Sequence, residues 1–200
     1  MSVKGKRIGL VLSAAAAAAI VAVPLAKAAP VCNGNLQPFA QFGDSNTYFG
    51  FANNGFESGT AGWNLTGASV GAGNEPWFVN GPGSSSLSIG PGGTAVGPLV
   101  CAGRDVPSWR MFAHSNGANG SLHAQVVFYS VRGNITGALN VTNLDPSGYA
   151  TWQPTAALPS GLPLPFTTYY EQLRLTSIAR SGTWQVDDVF VDPWMSRNSG

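Results

Sequence analysis

The sequence predicts an all-β domain, a sandwich or a barrel, that follows a cleaved signal peptide. Three observations support this prediction. Apolar and polar residues alternate along most of the chain instead of recurring every three or four positions. The chain holds 26 glycines and 14 prolines, which recur too often to allow long helices. Its first 28 residues have the charge and hydropathy pattern of an export signal.

The signal occupies the N-terminus. Lys4, Lys6 and Arg7 form a positive segment, and an apolar, alanine-rich stretch covers residues 8–25. The small residues of Ala26-Lys27-Ala28 suit a signal peptidase, which predicts cleavage after Ala28. The alternative is a membrane anchor that stays on the chain, but about 18 residues is near the lower limit for crossing a bilayer. The mature chain is therefore predicted to be secreted and extracellular, with no membrane insertion after cleavage.

The first strong strand covers residues 121–131. Four apolar residues point to one side and four others to the opposite side: Leu122, Ala124, Val126 and Phe128 against His123, Gln125, Val127 and Tyr129. Residues 171–178 and 184–191 form the other two strong strands. Weaker ones are predicted at 63–65, 84–89, 96–101, 109–113, 135–141 and 151–156. Turn signals such as Pro91-Gly92-Gly93 separate them.

Eight to ten short antiparallel strands at this spacing indicate one sandwich or barrel. The proline-rich residues 158–166 are interpreted as a crossing loop. The predicted organisation is a signal peptide at 1–28, an N-terminal extension at 29–48, the β-domain at 49–194 and a C-terminal tail at 195–200.

Charge and cysteine content narrow the class of protein. The mature chain keeps six arginines against nine acidic residues, a net charge of −3, so the sequence predicts no nucleic-acid partner. In an oxidising compartment, Cys32 and Cys101 are predicted to form a disulfide; two free thiols are the alternative. Four Asn-x-Ser/Thr sequons are expected in exposed loops, at Asn64, Asn119, Asn134 and Asn140.

Two segments carry a resemblance to a known family. The first is Asn53-Asn54-Gly55-Phe56-Glu57-Ser58-Gly59, followed by Gly62-Trp63, and the second is Trp184-Gln185-Val186-Asp187-Asp188-Val189-Phe190-Val191. Together they resemble the galactose-binding-like jelly-roll domains that include carbohydrate-binding modules. The whole mature chain is also similar to a family of exported bacterial proteins of unassigned function. The resemblance implies that the β-domain is a jelly-roll sandwich.

The same resemblance implies a structural calcium ion where the first and last strands meet. Its ligands would be the Glu57 carboxylate, the Gly55 carbonyl and Asp187, since Ca²⁺ takes oxygen ligands. Strand alternation would send Asp187 and Asp188 to opposite faces. The alternative is that Glu57 caps a turn and the aspartates bond to loop backbone.

No catalytic constellation is apparent, so the sequence predicts that the protein is not an enzyme. His114 and His123 are the two histidines, and no Gly-x-Ser-x-Gly motif accompanies them. Zinc is not expected, because the two cysteines are far apart in sequence and no His-x-x-x-His is present.

Sugar binding needs an exposed aromatic ring and nearby polar groups, and two candidate platforms are predicted. One is the outward face of the middle strands, with His123, Gln125 and Tyr129 joined by Arg110 and Arg174. The other is a loop site with Trp77 and Phe78. The alternative for each aromatic residue is core packing, which is the expected place of Trp63 and Trp184.

The predicted function is binding of a polysaccharide or cell-surface glycan. The alternative is a cell-surface structural or protein-interaction domain without a sugar site.

Overall fold

A computed structural model describes residues 35–102, 108–160 and 168–192. The predicted signal peptide and C-terminal tail lie outside these residues. Within the described part of the chain, no helix is long and apolar enough to cross a membrane. Two short 3-10 helices, Ala40–Phe42 and Pro146–Tyr149, accompany the strands. The strands are β1 Phe49–Gly50, β2 Asn64–Ala72, β3 Ser85–Val96, β4 Val100–Cys101, β5 Ser108–His114, β6 Leu122–Ser130, β7 Ile135–Leu144, β8 Gln153–Pro154, β9 Leu158–Pro159, β10 Thr168–Ser177 and β11 Trp184–Asp192.

All eleven strands belong to one antiparallel sheet that curls on itself. Its main path runs β7-β6-β10-β3-β11-β5-β8; β1 pairs with β11, β2 with β3, β4 with β10 and β9 with β5. The inner surfaces of both halves enclose one apolar core that includes Trp63, Trp109 and Trp184. The predicted all-β jelly-roll sandwich is confirmed.

Alternation along β6 agrees with the sequence pattern. Its inward residues, Leu122, Ala124, Val126 and Phe128, are all fully buried in the core. Their neighbours on β10, among them Leu173 and Leu175, are buried with them. The opposite face of β6 and β10 therefore lies toward solvent.

The prediction that Pro91-Gly92-Gly93 separates two strands is wrong. β3 continues through this segment and bends there. Its first half pairs with β11 at Leu87, and its second half pairs with β10 at Val96, so β3 joins the two halves of the sandwich. A Cβ on Gly93 would lie 2.3 Å from the carbonyl oxygen of Gly67 on β2, so this close approach requires glycine.

The described part of the predicted N-terminal extension, residues 35–48, covers the outer face of β5 and β11. Phe39 and Tyr48 are fully buried there, against Phe112 and Phe190, in a second aromatic cluster outside the main core. The Phe39 ring stacks on Phe112 with 5.4 Å between ring centroids. Residues 35–48 are therefore packed onto the domain.

Candidate binding face

The polar face is the solvent side of β7, β6, β10, the second half of β3 and the part of β2 that pairs with it. Directly opposed residues of antiparallel strands share a face. The β6–β10 register pairs His123 with Thr176, Gln125 with Arg174, Val127 with Gln172, and Tyr129 with Tyr170. Rows across the sheet extend to Asn143 and Asn140 on β7, and to Val96 on β3 and Asn64 on β2. The predicted residues His123, Gln125, Tyr129 and Arg174 thus lie together.

At one end of the polar face, a side-chain network fixes the orientation of four groups. The His123 ring nitrogens lie 2.8 Å from Oδ1 of Asn143 and 3.2 Å from Oδ1 of Asn140. Gln125 Nε2 donates to the same oxygen of Asn140, at 2.9 Å. Amide and imidazole groups offer both hydrogen-bond donors and acceptors, and a sugar hydroxyl can bond to either.

A β-bulge in β7 makes this network possible. Gln125 faces Asn140 while the preceding Ala124 faces Thr142, so Val141 is the extra residue. Strict alternation would put Asn140 and Asn143, three positions apart, on opposite faces. The bulge brings both amides to the polar face, and this was not predicted from the sequence.

At the other end, Tyr129 and Tyr170 are opposite each other and half-buried. The Tyr129 hydroxyl donates to Oε1 of Gln172 at 2.8 Å, and Gln172 Nε2 donates to the Gly97 carbonyl at 2.7 Å. The second of these hydrogen bonds anchors the Gln172 amide to the backbone of the segment that follows β3. The polar face thus combines aromatic rings with preoriented polar groups.

Arg110 does not join this face. It lies on β5 beneath residues 35–48, where its Nε donates to the Thr155 carbonyl at 2.8 Å and its guanidinium pairs with Asp44. The guanidinium also lies 4.1 Å from the centroid of the Phe39 ring. Arg110 is only 7% exposed, so its role is to hold the N-terminal segment, and it is not accessible to a ligand.

The second predicted platform is divided between packing and exposure. The half-buried Trp77 ring packs against Phe42 and Phe112, at centroid distances of 5.0 and 5.4 Å. Phe78 is 52% exposed. Trp152 lies on the same outer side, 5.6 Å from His114, which bonds to Gln185. Trp77 therefore extends the second aromatic cluster, and Phe78 alone of the predicted pair is open.

Of the three residues of the predicted calcium site, Gly55 and Asp187 lie near each other and are buried, whereas Glu57 is exposed. The Glu57 carboxylate is exposed and accepts from the backbone N–H groups of Ser84 and Ser85, both at 2.8 Å. Asp187 is buried beside Glu75, whose N–H donates to it at 3.1 Å. Across the described ranges, no three acidic, histidine or cysteine side chains are arranged to hold a metal ion. Glu57 matches the alternative prediction of a turn-capping residue.

A buried carboxyl cluster surrounds Asp187. Asp187, Asp188 and Glu75 are each at most 5% exposed. Asp188 has a positive φ of 46°, and the β5–β11 register shifts between Asp187 and Phe190. Because of this irregularity, both carboxylates lie near Gly55 and do not point to opposite faces as the alternation predicts. Burial and mutual repulsion raise the pKa of both aspartates.

A separate buried carboxyl, Glu171, points from β10 into the core side of the sheet. Its Oε2 accepts from the Ser160 hydroxyl at 3.0 Å. Burial raises the pKa of Glu171 to about 8, although Ser160 and the Trp109 indole lower it in part. Cys101 ends β4, opposite Tyr170. Its predicted partner Cys32 lies outside the described residues, so the disulfide stays a prediction.

No family model and no curated protein matches the chain. Solved structures with the same fold include a family 16 carbohydrate-binding module, with TM-score 0.51, 11% identity and coverage of 70% of this chain and 97% of that one. The tandem CBM22 domain of Xyn10C from Paenibacillus barcinonensis has TM-score 0.50 and 15% identity, over 86% of this chain and 49% of that one. The enzymatically active domain of bacteriophage CBA120 tailspike protein 4 has TM-score 0.49 and 16% identity. The matched region covers 70% of this chain and 20% of that chain. At such low identities the likeness concerns the fold, and it confirms the resemblance to carbohydrate-binding modules at that level.

Proposed function

We propose that this protein is an exported, non-catalytic module that binds a polysaccharide or cell-surface glycan on the polar face. One observation carries the proposal. Solvent-facing His, Gln and Asn side chains, fixed by their own hydrogen bonds, lie at one end of a sheet surface that carries two half-buried tyrosine rings at its other end. In a glycan of several sugars, one ring can lie on an aromatic side chain while such groups bond to the hydroxyls of another sugar. The shared fold with carbohydrate-binding modules supports the same function.

The buried carboxyl cluster does not argue for a hydrolase. Glycosidases need two carboxyl groups on either side of a substrate-accessible cleft. Glu75, Asp187 and Asp188 are close together but enclosed, and backbone N–H groups occupy the Glu75 oxygens. We therefore place the function of the domain in binding.

Binding to a panel of soluble glycans and insoluble polysaccharides tests the proposed function. We expect Tyr129→Ala and Gln125→Ala to weaken retention about tenfold, because each removes a ring or a bonding group from the polar face. Phe78→Ala is the matched control: it removes an exposed ring outside the polar face and should leave retention unchanged. Each variant is first shown to melt like the parent.

The outcomes separate the alternatives. Retention that depends on Phe78 and not on Tyr129 would move the site to the loop. Failure of the folded mature protein to bind any glycan would contradict the proposed function. It would favour a protein-interaction domain, for which Val131 and Ile135, 63% and 67% exposed, are the apolar contacts available at the β6–β7 turn.

Calcium remains a proposal in changed form. Both backbone donors bond to Oε1 of Glu57, and the proposed ligands are now Asp187 and Asp188, whose charges repel each other in a buried site and would be neutralised by a cation. A bound ion would stabilise the fold and take no part in sugar chemistry. We expect the melting temperature at pH 8 to be several degrees higher in millimolar CaCl₂ than in EDTA, by scanning calorimetry. Identical melting curves would argue that no ion binds.

Export and the disulfide belong to the same proposal. Among the described residues no cysteine is a free thiol, which supports a Cys32–Cys101 bridge. On the chain-entropy estimate, closing a loop of this length stabilises the fold by roughly 4 kcal/mol.

A further inference from the structure

Arg174 is the one charged residue at the outward strand positions of the polar face, counting the described parts of β2, β3, β6, β7 and β10. It is exposed at the middle of β10, between Gln125 on one side and Val96 on the other. Within the described chain, its guanidinium is in no ion pair or hydrogen bond. The face therefore presents a fixed positive charge surrounded by neutral groups.

The acidic residues lie elsewhere. Asp44 is paired with Arg110, Glu57 caps the segment before β3, and Asp145 bonds to Ser147 in the turn after β7. The others in the described part of the chain are buried: Glu75, Glu171, Asp187, Asp188 and Asp192. The local charge of the polar face is thus opposite in sign to the net charge of the mature chain.

We infer that the glycan bound at the polar face carries carboxylate groups, as a polymer of uronic acids does. This inference rests on the proposed function and names the ligand class of that site. A guanidinium forms two parallel hydrogen bonds with a carboxylate, which gives both attraction and a defined orientation. The neighbouring amides of Gln125 and Asn140 would bond to the hydroxyls of the same sugar.

The negative net charge of the protein opposes a polyanion at long range. At physiological ionic strength the Debye length is about 8 Å, so distant acidic groups are largely screened. Contacts at the face itself then decide the binding. A ligand with a carboxylate at one sugar position can use Arg174 fully, whereas a neutral sugar leaves its charge unpaired.

The experiment compares polygalacturonate with the same polymer in methyl-esterified form, by calorimetry in 150 mM NaCl. The ester keeps the sugar and removes the charge. We expect at least tenfold tighter binding of polygalacturonate, and a loss of this preference in Arg174→Gln. Arg174→Lys, which keeps the charge but not the paired geometry, should retain part of it. Arg132→Gln is the matched control, since Arg132 is an exposed arginine in the β6–β7 turn.

Three other results would overturn the inference. If the methyl ester, or neutral galactan or xylan, bound as tightly as polygalacturonate, the ligand class would be contradicted and the proposed function would stand. Equal losses in Arg132→Gln and Arg174→Gln would indicate a nonspecific charge effect. No binding to any glycan would remove the proposed function, and the ligand class with it.

Discussion

Replacing Phe39 by alanine should destabilise the domain by about 3–5 kcal/mol, the range for truncating a fully buried phenylalanine. Phe39 is fully buried in the second aromatic cluster and contacts Tyr48, Phe112 and Phe190. Its ring also lies under the Arg110 guanidinium. Truncation would therefore leave a cavity and weaken the contact that holds residues 35–48 on β5 and β11.

Urea unfolding of the mature protein measures this effect. Phe78→Ala removes the same side chain from a position that is 52% exposed and serves as the control, with an expected change below about 1 kcal/mol. If Phe39→Ala were as mild as Phe78→Ala, the packing of residues 35–48 would contribute little to the stability of the domain. An unchanged slope with denaturant would show that unfolding stays cooperative.

The second large effect is a free energy of unfolding that falls as pH rises, to which the buried Glu171 contributes. Burial raises the pKa of Glu171 from 4.5 to about 8. The folded state therefore holds a proton that the unfolded state releases between these values. The stabilisation is complete below about pH 4.5 and is lost as pH rises through about 8. The linkage relation gives a loss of roughly 4 kcal/mol between pH 4.5 and pH 8.

Thermal melting at pH 5 and pH 8.5, in EDTA, measures the slope. Glu171→Gln carries no titrating proton, so its melting temperature should depend less on pH and should exceed that of the parent at pH 8.5 by about 10 °C. Asp187 and Asp188, whose pKa values are also raised, account for the slope that remains. The Phe78→Ala variant, which leaves every carboxyl group in place, should keep the parental slope. A Glu171→Gln variant with that full slope would contradict the prediction.

The fold could be predicted where alternation was regular. On β6 successive side chains point to opposite faces, and every inward residue is buried, although Val127 on the outward face is apolar and buried as well. At Pro91-Gly92-Gly93 the turn chemistry was recognised but its use was not, because a bend inside a strand and a turn between strands need the same residues. Phe39 lay in a segment without a strand pattern, so its burial depended on a partner surface that sequence alone does not display.

The polar face was predicted in part for the same reason. His123, Gln125 and Tyr129 lie on one strand, so their common face followed from period-two alternation, and the pairing of β10 with β6 brings Arg174 to the same face. Asn140 and Asn143 were missed because a bulge changes the alternation in β7. Arg110 was assigned to the wrong surface: β5 has the right alternation but belongs to the other half of the sandwich. A single sequence shows which residues share a strand face and not which strands are neighbours.

The position of Asn140 has a consequence for how the protein is produced. Asn140 lies exposed on β7 in the side-chain network of the polar face, and Asn64 is exposed at the β2 margin of that face. Each begins an Asn-x-Thr acceptor sequence for N-linked oligosaccharide. A yeast, insect or mammalian secretory host would attach a branched sugar chain to the polar face. This sugar chain would block the face, and binding of a true ligand would not be detected. Expression in a bacterium without this modification, or with Thr66 and Thr142 replaced by alanine, keeps that surface bare.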